Sequence, residues 1–217
     1  STVEYGFLEH CLREDLNETA QRTMAVIRPV KLTITNYPEG QSETVTVENN
    51  PLDPAAGTRE ITFSRNLYIE SDDFLEAPVP KYKRLYPNGP ECRLKGAYLI
   101  RCTGCVKDAD GNVTEVLAEY DPESRGGDPA DGRKVKGATI HWVDAATAID
   151  AEVRLYDNLF TDADPDAADK NFLECLNPDS LEILTGCKVE PSMADAAAPA
   201  SFQFMRLGYF CLDSKDS

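Results

Sequence analysis

Hydrophobic positions recur along this chain with two periods, and the change comes early. From Val3 to Leu16 the apolar positions Phe7, Leu8, Cys11, Leu12 and Leu16 fall at three- and four-residue steps with charges between them. That spacing predicts an amphipathic helix, stopped by Asn17 and the Glu-Thr-Ala-Gln that follows. So short a helix gains little stability by itself. It needs a surface to dock on, either the region that follows or a part of the protein outside this chain.

From Met24 the period falls to two. Ala25–Ile27 is a short apolar run, and Val30–Ile34 and Glu43–Val47 alternate on either side of the turn cluster Asn36–Gly40. Asn49–Gly57 reads as a loop, Arg59–Phe63 and Asn66–Ile69 as strands, and Ser71–Phe74 as a short acidic helical turn. Tyr98–Val106 and Val113–Tyr120 are the arms of a hairpin closed by residues 107–112. Ala138–Val143 is a compact strand holding the only Trp, and Ala148–Phe160 a longer alternating one. Residues 162–169 form an acidic loop, Phe172–Leu176 a brief helix, Leu181–Leu184 a strand, and Phe202–Leu212 a strand or hairpin. The pattern predicts two β-rich halves behind a helix, joined through Asp128–Val143. Cations on that joining stretch would lie at the crease, where ligands usually sit.

Composition narrows this. Two hundred and seventeen residues suffice for one large or two small domains with cores of their own. Lys and Arg number 22 against 38 Asp and Glu, a net charge of −16, which repels a polyanion at long range but says little about a local patch. Seven scattered Cys, no secretory leader and no apolar run of about twenty residues lead to the expectation of a soluble cytoplasmic chain with reduced thiols and no membrane contact.

Against that acidic background Lys81–Arg101 stands out. It holds Lys81, Lys83, Arg84, Arg93, Lys95 and Arg101 against one acid, Glu91, with Tyr82, Tyr86 and Tyr98 interleaved. A solvated strand face and an anion site are both open readings; on a strand, Arg93, Lys95 and Ala97 would share one face. The joining stretch adds Arg133, Lys134 and Lys136. Asp108, Asp110 and Asn112 imitate a calcium loop, but Val113 stands where that loop needs Gly, so a hairpin turn is the simpler reading. Cys102 and Cys105 have metal-like spacing without a second pair, and on a regular strand they face opposite ways.

Little in the chain supports catalysis. His141 sits in an apolar run beside Trp142, and His10 has no identifiable partner. A serine elbow, a phosphate loop and a dinucleotide fingerprint are all lacking.

Several motifs, in order, resemble one family. They are Cys11-Leu-Arg-Glu-Asp-Leu-Asn17, Arg22-Thr-Met-Ala-Val-Ile27, Tyr82-Lys-Arg-Leu85, Asp128-Pro-Ala-Asp-Gly-Arg-Lys-Val-Lys-Gly137 with Ile140-His-Trp-Val143, and Val153-Arg-Leu-Tyr-Asp157. Phe202-Gln-Phe204 and Gly208-Tyr-Phe-Cys-Leu-Asp-Ser214 complete the set. Nearly the whole chain resembles the C-terminal anticodon-binding part of glutaminyl-tRNA synthetases. The resemblance implies an all-β fold of two β-barrels packed side by side after a short helical segment. Residues 1–22 would end the helical connecting subdomain, 23–137 form the first barrel and 138–217 the second, with strands free to be exchanged.

It also implies a glutamine tRNA as partner, a monomer, and a catalytic half outside this chain that would carry ATP and magnesium. No cofactor is implied here, and neither of the family's nucleotide motifs occurs. Arg22 and Gln203 match residues that read the middle anticodon base, Asn17 matches near Arg22, and Arg206 matches a cation beside the middle-base pocket. Lys83 matches a neighbouring contact and Arg84 one that holds the third base. Lys95 stands where the family carries Arg against the first base, Lys81 for a Gln and Leu52 for an Asn. Arg133, Lys134 and Lys136 are candidate phosphate contacts. A glutamyl-type anticodon barrel, a β-sandwich interaction or sugar-binding module, and a metal hydrolase using His10 and His141 are the alternatives.

Overall fold

The computed structural model describes residues 4–167, 169 and 171–215, so the expected helix start at Val3 lies outside them. The α-helix α1 (Tyr5–Thr19) ends within the expected stop, two residues past Asn17. None of its residues is buried, and Phe7, Leu8 and Leu12 of its apolar stripe are exposed. Strands follow in short pieces. They begin with β1 (Gln21–Thr23), β2 (Ala25–Val26), β3 (Pro29–Ile34), β4 (Ser42–Glu48), β5 (Thr58–Ser64) and β6 (Asn66–Glu70). The middle of the chain holds β7 (Cys92–Leu94), β8 (Leu99–Lys107), β9 (Val113–Tyr120), β10 (Thr139–Ile140) and β11 (Val143–Asp144). Last come β12 (Ile149–Tyr156), β13 (Leu181–Val189), β14 (Ser201–Phe204) and β15 (Gly208–Cys211). Among the described residues no helix is long and apolar enough to cross a membrane.

Alternation becomes burial where the period-two pattern is clean. β3 buries Val30, Leu32 and Ile34 while Lys31 between them stays exposed, and β4 and β5 send Val45, Val47, Ile61 and Phe63 into the same core. The larger sheet has seven strands in the order β10-β7-β8-β9-β3-β6-β11. β10 pairs parallel with β7 and β11 antiparallel with β6. These two edges belong to one stretch of chain, interrupted only by His141 and Trp142, so the sheet curls until both edges meet on it. The single expected strand over 138–143 is thus two short pieces. Between them Trp142 turns into the core, its ring edge-on to Phe63 at 5.3 Å and its indole N–H donating to the Lys95 carbonyl at 3.0 Å. The stretch lies just past the expected boundary at 137/138, yet both of its strands belong to the larger sheet.

A second core, with Ile27, Val153, Val189, Phe202 and Phe204, forms between two three-stranded sheets, β12-β13-β2 and β1-β14-β15. β1 and β2, from the start of the chain, therefore lie among strands from its end. Arg22, placed with the helical segment by its position in sequence, stands on β1. Met24 is the corner where the chain leaves one small sheet for the other. At the opposite corner the open edges of β12 and β15 flank a largely apolar groove of about 700 Å³.

Two expectations about side-chain direction change. Arg93 and Lys95 do not share a strand face, because β7 ends at Leu94 and a tight turn follows. The Ala97 N–H donates to the Leu94 carbonyl at 2.9 Å, with Gly96 at φ +72° against Val47. Cys102 and Cys105 face the same way, since the register slips between Cys102 and Gly104 and their partners become Ala118 and Val116. Both thiols are free, and burial pushes that of Cys102 up to about 11. The 107–112 loop is a hairpin turn in which the Asp108 carboxylate accepts the Asp110 and Asn112 amides at 3.0 and 2.8 Å.

The corner segment Met24–Arg28 runs between the two cores, and part of its backbone pairing comes from carboxylates. Glu190 accepts the Met24 N–H at 2.6 Å and the Arg59 guanidinium through Nε and Nη2, both at 2.6 Å. Glu70 accepts the Ile27 and Arg28 N–H groups at 2.8 and 3.0 Å and lies 3.5 Å from His141 Nε2. Burial alone would raise the Glu70 carboxyl, but its hydrogen bonds with His141, Ile27 and Arg28 outweigh that and hold it below the usual range. A depressed carboxyl contributes stability above its unfolded pKa of about 4.3 and loses it as pH falls through the folded value. Glu70→Gln is therefore expected to cost about 1.5–3 kcal/mol at pH 7 and much less at acid pH. Urea unfolding of both proteins at pH 7 and below pH 4 checks this. Parallel pH profiles would assign the acid limb to another group.

Candidate nucleic-acid interface

The exposed cations are easiest to place from the hydrogen bonds beneath them. β1 lies parallel to β14 with Arg22 opposite Gln203, and β14 turns back so that Gln203 faces Tyr209. Arg22, at 4% exposure, is almost wholly covered. Its guanidinium donates to the Ala20 carbonyl at 2.9 Å, to the Asn17 carbonyl at 2.7 Å and to Asn17 Oδ1 at 3.0 Å. The last turn of α1 carries no basic residue, so Arg22 supplies the cation that its terminal carbonyls favour. Tyr209 Oη also reaches Asn17 Oδ1, at 3.4 Å. The half-buried Gln203 amide has no hydrogen-bond partner among the described residues. Asn17, Arg22 and Gln203, 186 positions apart at the extremes, thus meet at one corner, and Tyr209 joins them. Leu52 is exposed on a neighbouring loop, which Asn50 ties to α1 through the Glu18 carbonyl at 2.9 Å.

Three residues beyond Gln203, in the β14–β15 turn, Arg206 holds φ +69°. Its Nη1 and Nη2 grip Asp73 at 2.9 and 2.7 Å, and Nη1 lies 3.5 Å from His141 Nδ1. Arg84 stands on the other side of the same carboxylate, its Nε 3.4 Å from Asp73 Oδ1 and its Nη1 donating to the Asp72 carbonyl at 3.2 Å. Burial works against the Arg206 charge, but the hydrogen bonds and attraction of Asp73 more than restore it and raise its pKa. The carbonyl of exposed Lys83 accepts the Ala138 N–H at 2.8 Å, which brings Lys83 alongside exposed Lys134 and Lys136. Lys81 is exposed at φ +69°. Tyr82 donates to the Asp72 carbonyl at 2.9 Å, and its ring lies 6.4 Å from that of Tyr86.

Not every candidate belongs to this surface. Arg133 donates to Glu91 at 2.9 Å, to Asp131 at 2.9 Å and to Asp121 at 2.6 Å. The Glu91, Asp121 and Asp131 bonds raise its pKa, and a phosphate would have to displace those carboxylates. Arg93 is likewise tied to Asp128 at 2.9 Å, and Arg101 lies 4.0 Å from Glu91. The basic run is therefore divided: Lys81 and Lys83 are exposed, Arg84 shares the buried Asp73 with Arg206, and Arg93 and Arg101 face Asp128 and Glu91. Lys95 is half-buried on the β7–β8 turn, its N–H donating to the Ile140 carbonyl at 2.9 Å.

Sequence reasoning missed Asp73 and Tyr209. Both stood in plain view, one in an acidic turn just before the basic run and the other in a conspicuous aromatic motif. Nothing local in either marks its partner.

The family model described as tRNA synthetases class I (E and Q), anti-codon binding domain, matches residues 20–121, and a second model of that description matches 139–213. The glutamine–tRNA ligase of Bradyrhizobium diazoefficiens is 54% identical over 217 residues, all of this chain and 38% of that protein. That of Pseudomonas syringae pv. tomato is 51% identical over 99% of this chain and 37% of its own length. That of Clostridium perfringens is 54% identical over 98% and 38%. The chain thus spans under two-fifths of the length of these curated relatives.

Gly137 sets the spacing where the segment before β10 packs on Glu91 and Cys92. A Cβ there would stand 2.2 Å from the Glu91 carbonyl oxygen and 2.7 Å from Cys92 Sγ. Gly137→Ala is expected to push the Lys134–Ala138 segment off its neighbours and to lower stability by about 1–3 kcal/mol. The readout is a lower urea midpoint at unchanged slope; an unchanged midpoint would mean that the loop yields freely.

Proposed function

The chain belongs to the anticodon-binding domains of the class I (E and Q) tRNA synthetases, and on that premise we propose that it grips the anticodon loop of a glutamine tRNA and reads its splayed bases. The observation that carries this reading is the in-register meeting of Arg22 and Gln203 with Asn17. An unpaired base exposes both donors and acceptors on its Watson–Crick edge, and an amide offers both in return. Gln203 offers an amide free among the described residues and Asn17 its amide NH2, and the covered Arg22 fork beneath holds Asn17 in place through its Oδ1.

Arg206 and Arg84 serve the middle and third bases. Lys95 meets the first base through a mobile charge rather than a planar fork. Lys81, Lys83, Lys134 and Lys136 approach phosphates, which position the loop without reading it. Arg133 is better suited to bracing its own loop. The glutamine–tRNA ligase names of the relatives favour a glutamine over a glutamate tRNA.

Ligation itself, with ATP and magnesium, is assigned to a catalytic half beyond this span, which would bring a monomeric cytoplasmic enzyme to completion. The 217-residue chain by itself is expected to give no glutamine-dependent ATP–pyrophosphate exchange above a protein-free blank. Measurable exchange would refute that division of labour.

Binding is tested by fluorescence anisotropy with a glutamine-tRNA anticodon stem-loop across a salt series. Lys136→Ala is expected to weaken all stem-loops alike and to reduce the log–log salt slope by about one unit. Gln203→Ala should instead cost about 1–3 kcal/mol and relax the preference for uridine at the middle base. Undiminished preference in Gln203→Ala would place the middle-base pocket elsewhere, and salt-independent affinity would remove the phosphate contacts.

A further inference from the structure

Between the two cations proposed to serve neighbouring bases lies a carboxylate with no exposure to solvent. Asp73 is fully buried, on a short turn that follows β6. The turn is held firmly: the Phe74 N–H donates to the Ser71 carbonyl at 3.2 Å, and the Asp73 carbonyl accepts the Leu85 N–H at 3.0 Å. Arg206 reaches Asp73 from 133 positions away with both terminal nitrogens, at 2.9 and 2.7 Å. Arg84 reaches Oδ1, the same oxygen as Arg206 Nη2, through Nε at 3.4 Å.

We propose that Asp73 is a positioning residue that fixes Arg84 and Arg206 side by side, so that the middle and third bases of the anticodon are read by one coupled pair of cations; this rests on the anticodon reading above. Three features of the arrangement support it. First, Arg206 spends both terminal nitrogens on Asp73, whereas Arg84 is committed on one side only. Arg84 uses Nε and Nη1, and Nη2 has no partner among the described residues. Second, the carboxylate between the two guanidiniums has no exposure, so an RNA approaching from outside would meet the arginines and not Asp73. Third, long side chains held before binding have less rotamer entropy to lose on contact, which is how a supporting shell sharpens recognition. A shared oxygen further means that removing one arginine changes the anchoring of the other, so their effects on binding cannot be independent.

Affinities of the full chain for three anticodon stem-loops decide the matter: the glutamine sequence, one with the middle base replaced and one with the third base replaced. Asp73→Asn keeps the shape of the side chain and removes its charge. It is expected to reduce discrimination at both positions together, by about tenfold each, while the salt slope of binding to the glutamine loop stays as it was. Asp73→Glu restores the charge and should recover part of the discrimination. A merely structural role would lower affinity for all three loops equally.

Asp73→Asn leaves two guanidiniums beside a neutral amide and can unfold the chain, so the arginines supply an independent arm. Arg84→Ala, Arg206→Ala and the double variant, each folded by thermal melt, should show a double loss smaller than the product of the single losses, by about tenfold. Multiplicative losses, or full discrimination in a folded Asp73→Asn, overturn the positioning role. If neither single arginine variant changes binding to any loop, the anticodon reading itself falls.

Discussion

Everything in this fold turns on a short crossing whose first four residues, Met24 to Ile27, are closed to solvent. Met24–Arg28 passes between two hydrophobic cores, and its peptide groups must be paired there or leave buried donors unsatisfied at about 1–3 kcal/mol each. β2 spans only Ala25 and Val26, so neighbouring strands pair only part of the segment. Two carboxylates take up the amides on either side, Glu190 at Met24 and Glu70 at Ile27 and Arg28. Each carboxylate comes with its own compensation, because a buried charge without a partner would cost more than the amides gain. Arg59 reaches across from β5 to Glu190, and His141 comes from the break between β10 and β11 to Glu70. The two halves are thereby joined by directional bonds, so their relative placement is specified more closely than greasy contact alone would allow.

That placement makes the interface. With the crossing held, β1 must lie beside β14, Arg22 comes opposite Gln203, and the β14–β15 turn carries Arg206 over to Asp73 and His141. The same polar chain that closes the junction therefore continues into the cationic surface, from Glu70 through His141 to Arg206 and on to Asp73 and Arg84. Arg22, Gln203 and Arg206 of the candidate site stand on strands and a short turn, whereas Arg84 and the exposed lysines lie on the longer stretches 74–91 and 125–138.

Charge is distributed to match. A chain of net charge −16 carries a surface that can attract a polyanion only because its cations are sorted. Away from the junction, Arg93, Arg125 and Arg133 are each held by carboxylates. Near it, Lys81, Lys83, Lys134 and Lys136 are exposed, and Arg84 and Arg206 share one hidden counter-charge. Screening over about 8 Å at physiological salt lets such a patch act locally while the acidic remainder discourages loose association.

Much of this was legible in the residues alone. Period-two alternation located β3, β4, β5, β6 and the β8–β9 hairpin within a residue or two, and the three- and four-residue steps marked α1. Side-chain alternation is a local property, set by which face of one element is covered. The ordered motifs identified the family for a different reason: they preserve residue identities along nearly the whole chain, whatever the fold does with them. What lay beyond reach was every decision made between distant segments. That β1 is a strand at all depends on β14, and Cys102 and Cys105 face one way because a bulge is set by pairing with β9. Lys95 leaves its expected strand face because Gly96 turns against Val47. Arg133, identical as a cation to Arg84 in one dimension, is neutralised by Glu91 and Asp121, whereas Arg84 shares the buried Asp73 with Arg206. The sequence determined which residues could be cations, strands or core; only the tertiary structure decided which charges meet, because electrostatic and hydrogen-bond partners are chosen by distance in space and carry no period along the chain.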